Sequence, residues 1–402
     1  DGLVRKRLDR PYVRRQGKLE AATWDEAFAA IAAVGASSNM AAIAGDLVDC
    51  ETMFAAKALL AQHGATLLEG RQTGMDYDIS SIAALNFNTT IAGTERADAI
   101  LLIGTNVRWE APLVNTRLRK AIKRGAKVFA IGPQVDLTYK VEWLGDDLSV
   151  LGALPEAVVD AFDKAERPMV IVGGAALKNG LGGALAFAER FKLVREGWNG
   201  FNTLHMAAAR MGGLMLGYAQ RGGIADVVAA KPQIVLFLGA DEVDFSAFGE
   251  SFKVYIGHHG DKGAAAADVV LPGASYAEKS GIWVNLEGRV QRGERAVFPP
   301  GDAREDWTIL RALSERLGEA LPFDTLDQLR AAMAADVPAL GSLELASFEW
   351  NPPALGAEAA GVIAGYPIKD FYLTNAICRA SPTMQRCSAE LIHGQEFAEA
   401  AE

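Results

Sequence analysis

Short apolar runs that end in glycine recur along this chain, and they constrain its fold more than any other feature. They are Met40–Gly45, Ala99–Gly104 (AILLIG), Val128–Gly132 (VFAIG), Met169–Gly173 (MVIVG), Ile234–Gly239 (IVLFLG), Val254–Gly257 (VYIG) and Val269–Gly273 (VVLPG). Such runs of Val, Ile, Leu and Phe do not alternate with polar residues, so they suit strands buried on both faces. A glycine at the carboxyl end of a strand permits a tight turn into the next element. Between the runs, Trp24–Val34, Glu51–His63, Glu110–Arg124, Leu148–Ala165 and Glu305–Leu317 carry apolar residues at i, i+3/i+4 spacing and are predicted helices. Strands that alternate with helices form βαβ units, so the expected class is α/β with mainly parallel, doubly wound sheets.

The pattern occurs twice. DAILLIGTN (Asp98–Asn106) is followed by a helical stretch and AKVFAIGPQ (Ala126–Gln134). PQIVLFLGADEVD (Pro232–Asp244) is followed by FKVYIG (Phe252–Gly257). The spacings differ, which points to two related lobes rather than a solenoid. Arg167-Pro168 ends a helical stretch and marks a boundary. The expected division is an entry segment 1–36, a first lobe 37–166, a second lobe 167–320, and a C-terminal helix and meandering, wrapping tail 321–402. Leu340–Gly365 is rich in Ala, Gly, Pro and Leu with little periodicity, and the chain closes on acidic EFAEAAE.

Composition narrows the function. The net charge of −10 supplies no basic field for phosphates, which argues against general nucleic-acid binding and against docking on anionic lipid. No apolar run is long enough for a membrane-spanning helix. Cys50, Cys378 and Cys387 are too few and too scattered for a disulfide framework or for the four thiolates of a usual iron–sulfur cluster. The chain opens at Asp1 and runs straight into a charged segment, so we expect it to be part of a longer polypeptide with a further N-terminal part.

Open α/β sheets bind ligands beyond the carboxyl ends of their strands. The loops Gly104-Thr105-Asn106, Gly132-Pro133-Gln134, Gly173-Gly174 and Gly239-Ala240-Asp241 lie there, but none is a GxGxxG fingerprint or a phosphate-binding GxxxxGK[ST] loop. His258 and His259 are adjacent, and alternation along an extended loop turns them to opposite sides, which favours packed, hydrogen-bonded histidines over a shared zinc ion. Cys378 and Cys387 lack the C-x-x-C spacing of a redox or metal pair. No Gly-x-Ser-x-Gly elbow is present, and spacing nominates no acid/base pair. The densest polar segment, Glu278–Gln291, follows the run VVLPG directly. Its residues suit either the lining of a cofactor cleft or ion pairs to an adjacent domain.

This segment also carries a family resemblance. LPGASYAEKSGIWVNLEGRVQ, with PPGDAREDWTILRALSERLG (Pro299–Gly318), resembles the molybdopterin-oxidoreductase-like region of the large iron–sulfur subunit, the G-type subunit, of NADH–quinone oxidoreductase. Similar stretches run in order at Arg7–Phe28, Asn88–Lys120, Gly132–Tyr139, Gly257–Ala264 and Ile368–Ser381, so the resemblance covers nearly the whole chain. It implies the two-lobed body of formate-dehydrogenase-like enzymes, placed in the peripheral arm of respiratory complex I. There it would support electron transfer from NADH to quinone coupled to proton translocation. The implied [2Fe–2S] and [4Fe–4S] clusters would lie in an N-terminal domain of the same subunit, with no cofactor, metal or catalytic residue in this region. The implied partners are that domain and other peripheral-arm subunits. The implied place is the cytoplasmic face of a bacterial inner membrane, or the matrix face of the mitochondrial one.

Two departures from the active pterin enzymes fit this reading. The loop that resembles their metal-ligand loop reads Gly70-Arg71-Gln72-Thr73-Gly74-Met75-Asp76 and offers only Asp76 as a usual ligand type. The strand VFAIG is followed by Gly132-Pro133-Gln134, where those enzymes often carry Asp-Pro-Arg to hold a guanine nucleotide. Neutral glycine and glutamine replace neither the carboxylate nor the guanidinium. We therefore expect a scaffold without chemistry of its own, with Glu278, Lys279, Asn285, Glu287 and Arg289 as candidate inter-domain contacts. The rival expectation is a catalytic molybdenum or tungsten bis-pterin oxidoreductase on the same fold.

Overall fold

A computed structural model describes residues 1–73, 75–353 and 359–395. The acidic end EFAEAAE and Gly74 of the loop above lie outside the described residues. The chain enters through an antiparallel hairpin, β1 (Tyr12–Arg15) and β2 (Lys18–Ala21), then helix α1 (Trp24–Val34), β3 (Met40–Ala44), α2 (Cys50–Gln62) and β4 (Leu67–Glu69). It crosses to a second sheet as β5 (Ala99–Ile103), α3 (Val107–Glu110), α4 (Pro112–Lys123), β6 (Lys127–Ile131) and β7 (Glu142–Trp143). There follow α5 (Glu156–Asp163), β8 (Pro168–Val172), α6 (Leu177–Arg190), the short β9 (Val194–Arg195) and β10 (Trp198–Asn199), and β11 (Phe201–Thr203). The chain then returns through α7 (Arg210–Leu216), α8 (Ile224–Ala229), β12 (Ile234–Leu238), β13 (Phe252–Gly257), α9 (Lys262–Ala266) and β14 (Val269–Pro272). A hairpin, β15 (Gly281–Val284) and β16 (Val290–Gly293), precedes α10 (Asp306–Arg316) and α11 (Leu326–Asp336).

One sheet has seven strands in the order β2-β1-β14-β13-β12-β3-β4 and the other has five in the order β11-β8-β5-β6-β7. From β14 to β4 the first sheet is parallel, and the second is parallel throughout. The apolar runs form the central strands: every residue of β3, β5, β8, β12 and β14 is buried. Helices cover both faces of such strands, which is why their sequences do not alternate.

The sheets are interleaved in sequence, which corrects the lobes expected at 37–166 and 167–320. Each of those stretches contributes strands to both sheets: β8, just past the expected boundary, pairs along its length with β5. The reason lies in the parallel topology. A parallel sheet accepts a strand wherever a crossover delivers it, so β12 returns beside β3 after the whole second sheet has been built. One apolar core joins the two sheets, with Ala44, Leu236 and Ile256 from the first and Ile103, Phe129 and Val170 from the second. Among the described residues no helix is long and apolar enough to cross a membrane.

Helix ends follow local chemistry. Thr23 and Glu26 form a reciprocal capping box on α1, and Asp49 caps α2 by accepting from Thr52 N at 2.8 Å. Pro112 divides the helix expected over Glu110–Arg124, and Pro155 leaves only Glu156–Asp163 of the one expected over Leu148–Ala165. Among the described residues beyond α11, regular structure is limited to a turn at Pro338–Gly341 and three short helical segments, Ala376–Ala380, Pro382–Cys387 and Ser388–Ile392, with bridges at Leu345 to Arg289 and at Val362 to Asp147.

Candidate functional site

The parallel strands of each sheet end in a crevice where carboxylates of the chain itself take up backbone donors, and a further cavity of about 290 Å³, lined by Glu110, His205, Trp283 and Asn285, lies beside the second. At the second sheet, Gly104 turns out of β5 with φ +60°. Glu110, at the end of the single turn α3, reaches back: its Oε1 accepts from Asn106 N at 2.7 Å and its Oε2 from Gly174 N at 3.2 Å. Burial pushes this carboxyl up, and those backbone donors pull against it. Beside it, the Tyr366 hydroxyl donates to Pro133 O at 2.5 Å, and Pro367 lies against Gly174. Gln134 is exposed.

The first sheet repeats the arrangement. Glu69, ending β4, accepts from Gly70 N at 2.9 Å, Arg71 N at 2.7 Å and Gln220 N at 2.8 Å. It also holds the fully buried Arg71 guanidinium at 2.8 Å. Asp241, past Gly239 of β12, accepts from Tyr255 Oη and Gly263 N, each at 2.9 Å, and burial pushes its carboxyl up to about 6. Asp46, past β3, is likewise raised by burial, against the pull of Arg210. Thr374, Asn375 and Ala376 of the tail close the crevice over Asp46, Gly239, Asp241 and His258, leaving a cavity of about 40 Å³.

His258 and His259 do not point apart as extended backbone implies. The chain turns at the end of β13, and the two rings meet edge to face with their Nδ1 atoms 2.5 Å apart. His259 Nε2 contacts Gly2 O at 2.9 Å. Burial holds both rings below the usual imidazole range. No group of metal-ligating side chains forms among the described residues. Cys50 is buried at the start of α2, where burial, with Glu51 and Asp49 nearby, keeps it a thiol. Asp76 pairs with Lys178 at 2.8 Å.

The five nominated contact residues lie as follows. Glu278 takes a two-pronged bond from Arg7 at 2.5 Å. Lys279 sits in the core between Asp49, at 2.6 Å, and Asp306. The ammonium outweighs burial at Asp49 and holds that carboxyl low, whereas burial prevails at Asp306 and leaves it high. Asn285 Oδ1 accepts from Glu287 N and Arg289 N, shaping the β15–β16 turn. Glu287 accepts from Ile91 N at 2.8 Å and pairs with Arg289 at 3.2 Å. Glu278, Lys279 and Glu287 are buried within this chain, while Asn285 and Arg289 keep partial exposure. Sequence reasoning placed Asp241 at a strand end but missed Glu110 and Tyr366. Their role depends on which strand ends the tail reaches, and no spacing encodes that.

Residues 7–316 match the family model for molybdopterin oxidoreductase. The chain belongs to the molybdopterin oxidoreductase family. Residues 344–387 match a second model, the C-terminal region of the G-type subunit of NADH-ubiquinone oxidoreductase. Curated relatives include the mitochondrial NADH-ubiquinone oxidoreductase 78 kDa subunit of Neurospora crassa, 39% identical over 97% of this chain and 56% of its own length. The 75 kDa subunit of Reclinomonas americana is 36% identical over 97% of this chain and 61% of that protein. The chain thus spans somewhat more than half the length of the relatives it matches. Among solved structures, the formyltransferase/hydrolase complex of Methylorubrum extorquens aligns with TM-score 0.58 at 19% identity, over 76% of this chain and 98% of that one. Acetylene hydratase from Pelobacter acetylenicus aligns with TM-score 0.57 at 12% identity, over 85% and 65%. Both show a shared fold.

The family name implies a molybdopterin group, and the residues present do not fit one. A phosphate-bearing ligand at strand ends needs free backbone N–H donors. Here Asn106 and Gly174 donate to Glu110, Gly70 and Arg71 to Glu69, and Gly263 to Asp241. Their carboxylates would also repel a phosphate. The remaining 40 Å³ in the first crevice suits a few waters.

Proposed function

We propose that this member of the molybdopterin oxidoreductase family is a non-catalytic scaffold within the large iron–sulfur subunit of NADH–quinone oxidoreductase. In this reading the rest of the subunit holds [2Fe–2S] and [4Fe–4S] clusters that pass electrons from NADH toward quinone. The present region keeps that cluster-bearing domain and other peripheral-arm subunits in register at the surface of the energy-coupling membrane. Electron tunnelling weakens steeply with distance, so rigid positioning is itself a requirement of the reaction. The observation that carries the reading is that Glu110, Glu69 and Asp241 occupy backbone donors at the strand ends of both sheets, beside a C-terminal segment of the kind found in the NADH-ubiquinone oxidoreductase subunit. Of the five nominated contact residues, Arg289 and Asn285 keep surface through which another domain could be held.

The test is elemental analysis of the intact parent polypeptide, purified in its native complex, with oxidised-pterin fluorescence on the same sample. Iron without molybdenum, tungsten or pterin is the expected result. Near-stoichiometric pterin and metal would replace the scaffold by a catalytic enzyme.

A further inference from the structure

Residues 359–380, within the 344–387 segment that matches the NADH-ubiquinone oxidoreductase model, pass over both crevices. They approach along α6, where Ala359 packs on Gly183, and Ile363 N bonds Asp146 O at 2.8 Å. Tyr366 and Pro367 then cover the ends of β6 and β8. Phe371 packs at a tilt against Trp109 with ring centroids 6.2 Å apart. Thr374 to Ala376 enter the first crevice. Arg379 finally bonds Asp261 at 2.7 Å and pairs with Glu242 at 2.6 Å, two carboxylates from different loops of the first sheet. A charge-assisted contact to two loops at once is a strong anchor.

We propose that residues 359–380 are a strap that takes, within the same chain, the places where this fold receives ligand, and that Arg379 is its latch. By spanning the strand ends of both sheets, the strap fixes one sheet against the other and turns a ligand-receiving fold into a closed one. This deepens the scaffold reading and rests on it, but its test is separate, because exchange rates report the strap whatever metal the complex holds.

Amide hydrogen exchange on the parent polypeptide in its native complex tests the strap. Arg379→Gln is compared with the unaltered protein, and a chain truncated before Ala359 serves as a second variant. In both we expect exchange roughly tenfold faster in peptides covering 239–242 and 257–263, with the central strands 99–103 and 234–238 unchanged; that factor is about 1.4 kcal/mol of local opening. In the truncated chain, peptides covering 132–134 and 173–175 should accelerate as well. A synthetic peptide of residues 359–395, added in trans, should restore the slow rates. Unchanged rates at the crevice loops of Arg379→Gln would overturn the proposal. So would acceleration spread equally over the central strands, which would make the tail part of the core rather than a strap. If the truncated chain does not fold, Arg379→Gln decides alone.

Discussion

At the scale of single residues, burial rather than spacing decides chemistry here. Asp241 titrates near 6 because burial costs its charged form more than Tyr255 and Gly263 return. A carboxyl whose folded pKa exceeds its unfolded value, ~3.9, binds its proton more tightly when folded. Its contribution therefore favours folding below that unfolded value and is lost as pH rises through the folded one. The shift amounts to about 3 kcal/mol. His205, lowered to about 4 chiefly by burial, acts in the opposite sense: its contribution is lost as pH falls from ~6.5. Comparing Asp241→Asn with the unaltered protein cancels His205. We expect the unfolding free energy of the unaltered protein, minus that of the variant, to decline by up to ~3 kcal/mol between about pH 4 and 6.5. A flat difference in denaturant titrations would contradict this. Lys279 shows the limit of reading residues in order. Its charge beside Gly281 and Asn285 resembles a surface contact, yet its partners Asp49 and Asp306 are far away in sequence.

At the scale of elements, the central strands were legible because burial on both faces leaves an uninterrupted apolar run. The hairpin edge strand β2 has no such run and only one residue that is not exposed. Helices were legible where capping and periodicity agree, as in α1. They were misjudged where proline interrupts a periodic stretch. Helix α6 was hidden by Gly180, Gly182 and Gly183, residues that disfavour helix in isolation. The structure gives two of them a reason: Gly180 admits Leu148 and Gly183 admits Ala359. Opposite signs follow for one substitution. In the chain truncated before Ala359 the added methyl of Gly183→Ala meets only the flexible end of Leu151, and helix propensity should stabilise by up to ~1 kcal/mol. In the intact chain the added methyl meets Ala359 and Leu151 and should destabilise instead. Thermal melts of the four proteins check this, and equal shifts in both backgrounds would remove the close packing as the reason for glycine. The strap itself was legible only as a low-periodicity tail, since what it covers is set by the crevices beneath it.

At the scale of the whole molecule, the shared core makes the two sheets one cooperative body. Urea unfolding followed by tryptophan fluorescence and by far-ultraviolet circular dichroism should give coincident single transitions. Two resolved transitions would mean that the sheets come apart independently. The interleaved strand order also bears on how the chain is made. β3 and β4 emerge from the ribosome early, but β3's other neighbour, β12, begins only at Ile234, after the whole second sheet. At ~5–20 residues per second that interval is on the order of ten seconds. Throughout it a buried-type strand, Met40–Ala44, has an open edge and no permanent cover. The second sheet, complete at Thr203, can finish first, so this region can close from its middle outward.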